Sequence, residues 1–131
     1  MRKKLVLLAL AALTAVLFTG CSRYVSSYRA LGLARTGTDG AASMTFSSLD
    51  GRMVFRLRSG PDKRLKYRAS LKEGSAKVYL EQNGTKEELF VIGPGGTTEA
   101  SAGPLRQGEI WLIVETDSAC REGEFRFEIV P

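Results

Sequence analysis

The sequence runs to 131 residues, enough for one domain with one core, and carries 19 Lys and Arg against 14 Asp and Glu. It contains no histidine. That removes Ser-His-Asp and Cys-His catalysis, His-based zinc sites and the usual general base near neutral pH. Three of the cations, Arg2, Lys3 and Lys4, stand at the N-terminus, which leaves 16 basic and 14 acidic residues over the rest of the chain. The formal net charge of +5 is therefore no argument for nucleic-acid binding.

Those three cations open a segment with the layout of an export signal. A positive start is followed by an uncharged, apolar run, Leu5 to Phe18, broken only by Thr14. As a helix this run reaches only about 21 Å, short of the roughly 30 Å hydrocarbon core, so a cleaved signal is favoured over a permanent span. The run closes on Leu17-Phe18-Thr19-Gly20-Cys21, which resembles the lipobox of bacterial lipoproteins. Phe18 stands where that family usually has Leu. The resemblance implies a signal helix over residues 1–20, cleavage between Gly20 and Cys21, and a diacylglyceryl group on the Cys21 sulfur with further acylation such as palmitate. Two or three chains on one cysteine make a stable anchor where one does not. It also implies an exported chain tethered to the cell membrane, or to an outer membrane if the host has one, as Ser22 beside the lipid favours.

Residues 21–42 are expected to hold the lipid attachment and a short linker or first strand, and 43–131 the folded domain. Tyr24–Ala34 suits an added strand or a short helix, and Thr36–Ala42 a loop. No long Ser/Pro/Gly spacer follows Cys21, which keeps the domain close to the membrane.

From there the pattern is β, with period-two alternation and Gly-containing turns at close intervals. Asp50-Gly51 and Asn83-Gly84 are the strongest signals for two-residue turns. Folding about Asp50-Gly51 sets Phe46 opposite Phe55 and Met44 opposite Leu57. Folding about Asn83-Gly84 sets Val78 opposite Leu89 and Glu81 opposite Lys86, with Val91 on the apolar face. A third hairpin joins Leu65–Leu71 to Ala76–Gln82, with Ala69 meeting Val78 and Tyr67 meeting Leu80. Gly93 to Gly108 is expected to be mostly loop with a short strand near Thr97–Ser101. Ile110, Leu112 and Val114 share a face with Phe125, Phe127 and Ile129 in a last hairpin closed by a polar loop over 115–123. Trp111 and Ile113 make their strand apolar on both faces, which predicts a central position.

About eight short strands without a long helix predict an all-β antiparallel sandwich with jelly-roll connectivity. Leu105, Gly108, the strand Glu109–Glu115 and Gly123-Glu124-Phe125-Arg126-Phe127 are similar to small jelly-roll accessory modules of exported bacterial proteins.

Charge is unevenly spread. Ser22 to Lys77 holds 12 basic and 4 acidic residues, whereas Val78 to Pro131 holds 4 and 10. Arg52, Arg56 and Arg58 alternate with Met53, Phe55 and Leu57, and Arg64, Lys66 and Arg68 with Leu65 and Tyr67. If the two strands are neighbours, Arg56 stands beside Lys66 and Arg58 beside Arg64. A sheet tolerates facing like charges poorly, so such a face would meet an anion. If the connection over 59–63 carries the chain to the opposite sheet, each row is an ordinary solvated face. Tyr79, Phe90 and Trp111 are candidates for a sugar-stacking platform, against a packing role in a second core layer or at an edge.

Glu115, Asp117, Glu122 and Glu124 surround one loop without the spacing of a calcium loop. With Cys21 lipidated, Cys120 is left as a thiol or pairs with another chain. A pKa lowered by Arg121 beside it is the alternative to a structural or incidental thiol, which the absence of a histidine and of a second cysteine favours. These residues predict a non-enzymatic, membrane-tethered envelope module with no cofactor, metal or nucleic-acid partner. Its basic face would bind anionic envelope polymer or lipid. The alternatives are a subunit docking a protein through its acidic half or an edge strand, and a glycan- or solute-binding lipoprotein.

Overall fold

The computed structural model describes residues 25–131; the predicted signal, Gly20 and Cys21 lie outside the described residues. No helix among the described residues is long and apolar enough to cross a membrane. The chain forms β1 (Ser27–Leu31), β2 (Ala34–Gly37), β3 (Ala41–Ser59), β4 (Lys63–Glu73), β5 (Ala76–Gln82), β6 (Thr85–Ile92), β7 (Gly96–Leu105), β8 (Gly108–Thr116) and β9 (Cys120–Val130). The described part of the ambiguous stretch, residues 25–40, thus supplies two short strands that both pair with β3, and the loop expected over 36–42 shortens to 38–40.

Every pairing is antiparallel, in the order β6-β5-β8-β3-β9-β4-β7. The key to this order is β3, whose first half pairs with β9 and whose second half pairs with β8. With β3N the part paired to β9 (residues 41–49) and β3C the part paired to β8 (residues 52–59), the strand belongs to two sheets, β2-β3N-β9-β4-β7 and β3C-β8-β5-β6. Apart from the β5–β6 hairpin, every later connection crosses between them. That alternation is the predicted jelly-roll sandwich, with its first two strands fused into one.

Asp50-Gly51 is the point of fusion, not a turn, and this corrects the hairpin expected there. Gly51 has φ +128°, and β1 packs against it so closely that a Cβ would stand 2.3 Å from the Ser27 carbonyl oxygen. A bend at glycine lets one strand change sheets at a sandwich corner. The Thr116 hydroxyl accepts from the Gly51 N–H at 2.8 Å and lies 3.3 Å from the Gly51 carbonyl oxygen, filling the ladder at the corner. Phe46 and Phe55 consequently lie in different sheets.

Two further hairpins are corrected in the same way. β4 pairs with β7 and β9, not β5, and β8 with β3 and β5, not β9. In each case the expected apolar face is the inward one. All these faces line one core containing Leu65, Tyr67, Val78, Leu80, Ile110, Leu112, Phe125 and Phe127. Residues expected to pair side by side instead face one another across the sandwich. Ring pairs span the gap, with Phe55 and Phe127 centroids 6.0 Å apart and Tyr67 and Phe90 stacked at 4.8 Å.

The Asn83-Gly84 hairpin forms as predicted, with Glu81 opposite Lys86. A bulge after Val78 puts Phe90, not Leu89, opposite it and leaves Val91 exposed on the outer side. The Gly93–Gly108 stretch carries more strand than expected. β7 is ten residues long and pairs only with β4, and an edge position tolerates its Pro104. β8 is interior, as its two apolar faces predicted, with Ile113 2% exposed although it stands outside the core cluster.

Candidate functional site

The two basic rows lie on opposite outer faces. Arg52, Arg56 and Arg58 stand on the outer side of β3C, beside β8; Arg64, Lys66 and Arg68 stand on the outer side of β4, between β7 and β9. The pairs Arg56/Lys66 and Arg58/Arg64 do not form, because the 59–63 connection carries the chain to the other sheet. Each row is met by carboxylates from the acidic half. Arg52 pairs with Glu115 at 3.0 Å, while Arg56 and Arg58 both reach Glu109, at 3.6 and 3.5 Å. Lys66 stands opposite Glu128, and Arg68 has Glu99 on one side and the like-charged Arg126 on the other. Arg126 in turn pairs with Glu124. The charge asymmetry along the chain is thus largely an attraction between its two halves.

The two outer faces differ in what accompanies the charge. The β7-β4-β9-β3N face carries charged and hydroxyl residues, including Ser43, Thr45 and Ser70. The other face is built on apolar side chains. Its strand registers define three rows: Arg52-Glu115-Lys77-Val91, Val54-Ile113-Tyr79-Glu88 and Arg56-Trp111-Glu81-Lys86. Val54 is 6% exposed and Ile113 2%, although both alternate with residues of the core cluster and stand outside it. Tyr79 and Trp111 sit diagonally across β5 and β8 and are partly exposed.

Cations lie over both rings. The Lys86 ammonium is 4.3 Å from the Tyr79 ring centroid, and the Arg56 guanidinium is 5.9 Å from that of Trp111. Lys86 continues toward Glu115, 3.9 Å away. The result is an aromatic and aliphatic floor with a rim of ion-paired Arg, Lys and Glu. Such contacts are worth about 0.5–1 kcal/mol at exposed sites, so an incoming ligand displaces them at low cost.

Of the three aromatics singled out in sequence, two occupy this face and one does not. Phe90 points inward, stacked on Tyr67 and 6.4 Å from Phe125. The burial of Val54 and Ile113 and the position of Lys86 escape a reading of the sequence, since they depend on which strands are neighbours. The Glu81–Lys86 hairpin pair is the one available signal for Lys86.

The remaining candidates have separate partners. Glu115 is held by Arg52, Asp117 accepts from the Ser75 hydroxyl at 3.0 Å, Glu122 pairs with Lys72 and Glu124 with Arg126. Cys120 is free and fully buried in the core, with its thiol 3.3 Å from the Ser75 carbonyl oxygen. Burial pushes its pKa up, the nearby carboxylates of Asp117 and Asp50 add to the rise, and the Ser75 contact opposes it. This agrees with the structural thiol favoured in sequence over one lowered by Arg121, whose guanidinium turns to Glu73 at 3.8 Å.

The fold and this face define a small antiparallel jelly-roll sandwich with an aromatic, charge-rimmed outer sheet. The sequence matches no protein-family model and no curated protein. Among solved structures it is similar to CBM29-2, a family 29 carbohydrate-binding module, in a single-substitution mutant complexed with mannohexaose. That likeness has 16% identity, covers 82% of this chain and 79% of that one, and has a TM-score of 0.42. It is also similar to Aeromonas hydrophila PliG, a periplasmic inhibitor of g-type lysozyme, at 10% identity over 76% and 94% of the two chains with a TM-score of 0.48. A third likeness is to TmCBM61 in complex with β-1,4-galactotriose, at 14% identity over 80% and 66% with a TM-score of 0.38. All three are distant.

Proposed function

We propose that this protein is a non-enzymatic, glycan-binding module of the cell envelope, exported by its N-terminal signal and tethered to the membrane through lipid on Cys21. The observation that carries the binding assignment is the placement of Trp111 and Tyr79 on one outer sheet face, beside Val54 and Ile113. Aromatic rings offer a sugar the apolar face it needs for its C–H groups. Arg52, Arg56, Lys86, Glu109 and Glu115 around them supply donors and acceptors for hydroxyls. Ligand sites combine an apolar lining with a few such polar groups.

The ion pairs of Arg52, Arg56 and Arg58 with Glu115 and Glu109 weigh against a simple polyanion surface on the β3 row, which needs uncompensated charge. One observation keeps the anionic-polymer reading as a second choice. Arg68 and Arg126 stand directly opposite each other on the β4–β9 face, a like-charge contact that an anion would relieve.

Titration of the purified protein with neutral and anionic envelope oligosaccharides, followed by the emission of its single tryptophan, tests both. A salt-insensitive shift that is lost in Trp111→Ala and weakened in Tyr79→Ala supports the glycan site. Binding that fades with salt, survives Trp111→Ala and disappears in Arg68→Glu transfers the function to the β4–β9 face. No binding by either route, with protein partners captured instead, overturns both.

A further inference from the structure

Four large hydrophobic side chains are strongly exposed among the described residues, and three of them fall within seven residues of sequence: Val25 at 56%, Tyr28 at 41% and Leu31 at 70%. They lie on β1 and the segment entering it. β1 pairs with β3 alone, through Ser27 opposite Arg52 and Leu31 opposite Ser48. By alternation Arg29 and Leu31 share the outward face, whereas Tyr28 stands on the side of Ala30, which packs against the core. An exposed apolar segment at a strand edge ordinarily invites pairing or aggregation unless something covers it.

We propose that the bilayer surface covers it, so that the protein touches the membrane through β1 itself and does not hang from a free tether. The argument rests on where the chain comes from. Val25 is four residues after Cys21 and seven after the end of the apolar run at Phe18. Four residues span at most about 14 Å when fully extended. Whether lipid on Cys21 or the apolar run itself holds the membrane, the bilayer lies within reach of Val25, Tyr28 and Leu31.

Charge points the same way. From Ser22 to Thr38 the chain holds Arg23, Arg29 and Arg35 and no acidic residue. Asp50, opposite Arg29, is the acid that β1 meets in its ladder. Arg35 turns back into the fold, donating to the Val54 carbonyl at 2.7 Å, which leaves Arg29 as the described cation of this strip. Aliphatic side chains entering the headgroup boundary, a tyrosine at its level and Arg29 beside anionic lipid together form an interfacial contact. This inference rests on the membrane tethering of the proposed function but not on its glycan site.

The test uses the full chain produced with its signal in a lipoprotein-processing host and reconstituted into vesicles of phosphatidylglycerol and phosphatidylethanolamine. An environment-sensitive thiol dye is placed through Leu31→Cys, with Glu99→Cys on β7 as the distant control. Cys120 is buried and acylated Cys21 is blocked, so labelling of the parent chain at Cys21 reports separately that the tethering reading has failed.

The expected result is a blue-shifted emission at position 31 that spin-labelled phospholipid quenches, and a water-like, unquenched emission at position 99. Arg29→Glu should reduce the quenching in these vesicles and leave it unchanged in zwitterionic ones. A label at 31 that is as water-exposed as the one at 99 overturns the proposal. So does a shift at 31 that appears without lipid and grows with protein concentration, which would assign the strip to a second copy of this chain.

Discussion

Replacing Gly51 with alanine tests the corner on which the sandwich turns. At φ +128° an L side chain is held in a sparsely populated conformation, a strain of about 1–3 kcal/mol. The added Cβ would also lie 2.3 Å from the Ser27 carbonyl oxygen and 2.8 Å from the Tyr28 Cα. Both are backbone atoms of a paired strand and cannot rotate away as a side chain would. Forcing β1 off β3 is an overpacking cost of about 1–3 kcal/mol more. The expected loss is therefore about 2–6 kcal/mol, out of a total stability of about 5–15 kcal/mol. For a domain of this size that lowers Tm by at least about 8 °C.

The comparison variant is Gly84→Ala, at φ +78° in the β5–β6 turn, where an added Cβ meets nothing within 4 Å. It carries the conformational cost alone, about 1–2 kcal/mol. Urea unfolding followed by Trp111 emission and far-UV circular dichroism gives both values, and amide exchange shows whether residues 27–31 lose protection. If Gly51→Ala costs no more than Gly84→Ala and β1 stays protected, the backbone of β1 does not lie against β3. Asp50-Gly51 would then be the open turn its dipeptide suggests.

Two other perturbations have defined outcomes. Cys120 should resist thiol reagents in the folded protein at pH 8 and react at once in denaturant. Because its pKa is raised above the ordinary 9.0 in the fold, the folded state holds the proton more tightly than the unfolded chain. The associated stability is complete below the unfolded value and is lost as pH rises through the folded one, which alkaline urea titrations of the parent and Cys120→Ala proteins can separate. Gly123→Ala would drive a Cβ to within 2.3 Å of the Phe46 ring and should cost about 1–3 kcal/mol. The same change in a Phe46→Leu background should cost measurably less, and equal costs in the two backgrounds would mean the ring is not the obstacle.

The inward faces of β3, β4, β5, β8 and β9 are legible in the sequence because alternation of side chains reports face directly. Met44, Tyr67, Val78, Leu112 and Phe125 all enter the core as their spacing requires. Neighbours are not legible, because two facing sheets present identical alternation to one core. A fold-back register such as Ala69 with Val78 satisfies the pattern even when the two strands lie on opposite sides. Only in the β5–β6 hairpin, where sequence neighbours are also sheet neighbours, does the expected pair form. The dipeptide Asp50-Gly51 misleads because positive φ serves a sheet-changing bend as well as a turn. The same ambiguity decides the site. Tyr79 and Trp111 are visible as aromatics off the core alternation, but their sharing one face follows from β5 pairing with β8.

The double membership of β3 also constrains how the protein comes into being. Its first half waits for β9, with Ala41 paired to Glu128, and its second half waits for β8, with Arg52 paired to Glu115. A chain made N-terminus first, and under the proposed export also threaded that way through a membrane, therefore presents its longest strand before either partner has emerged. Such distant pairings fold slowly, over milliseconds to seconds. Met44, Phe46, Phe55 and Leu57 would stay uncovered until the final residues arrive. Unless a helper shields that segment, the interval between emergence and closure is the moment of greatest risk of aggregation in the life of the molecule.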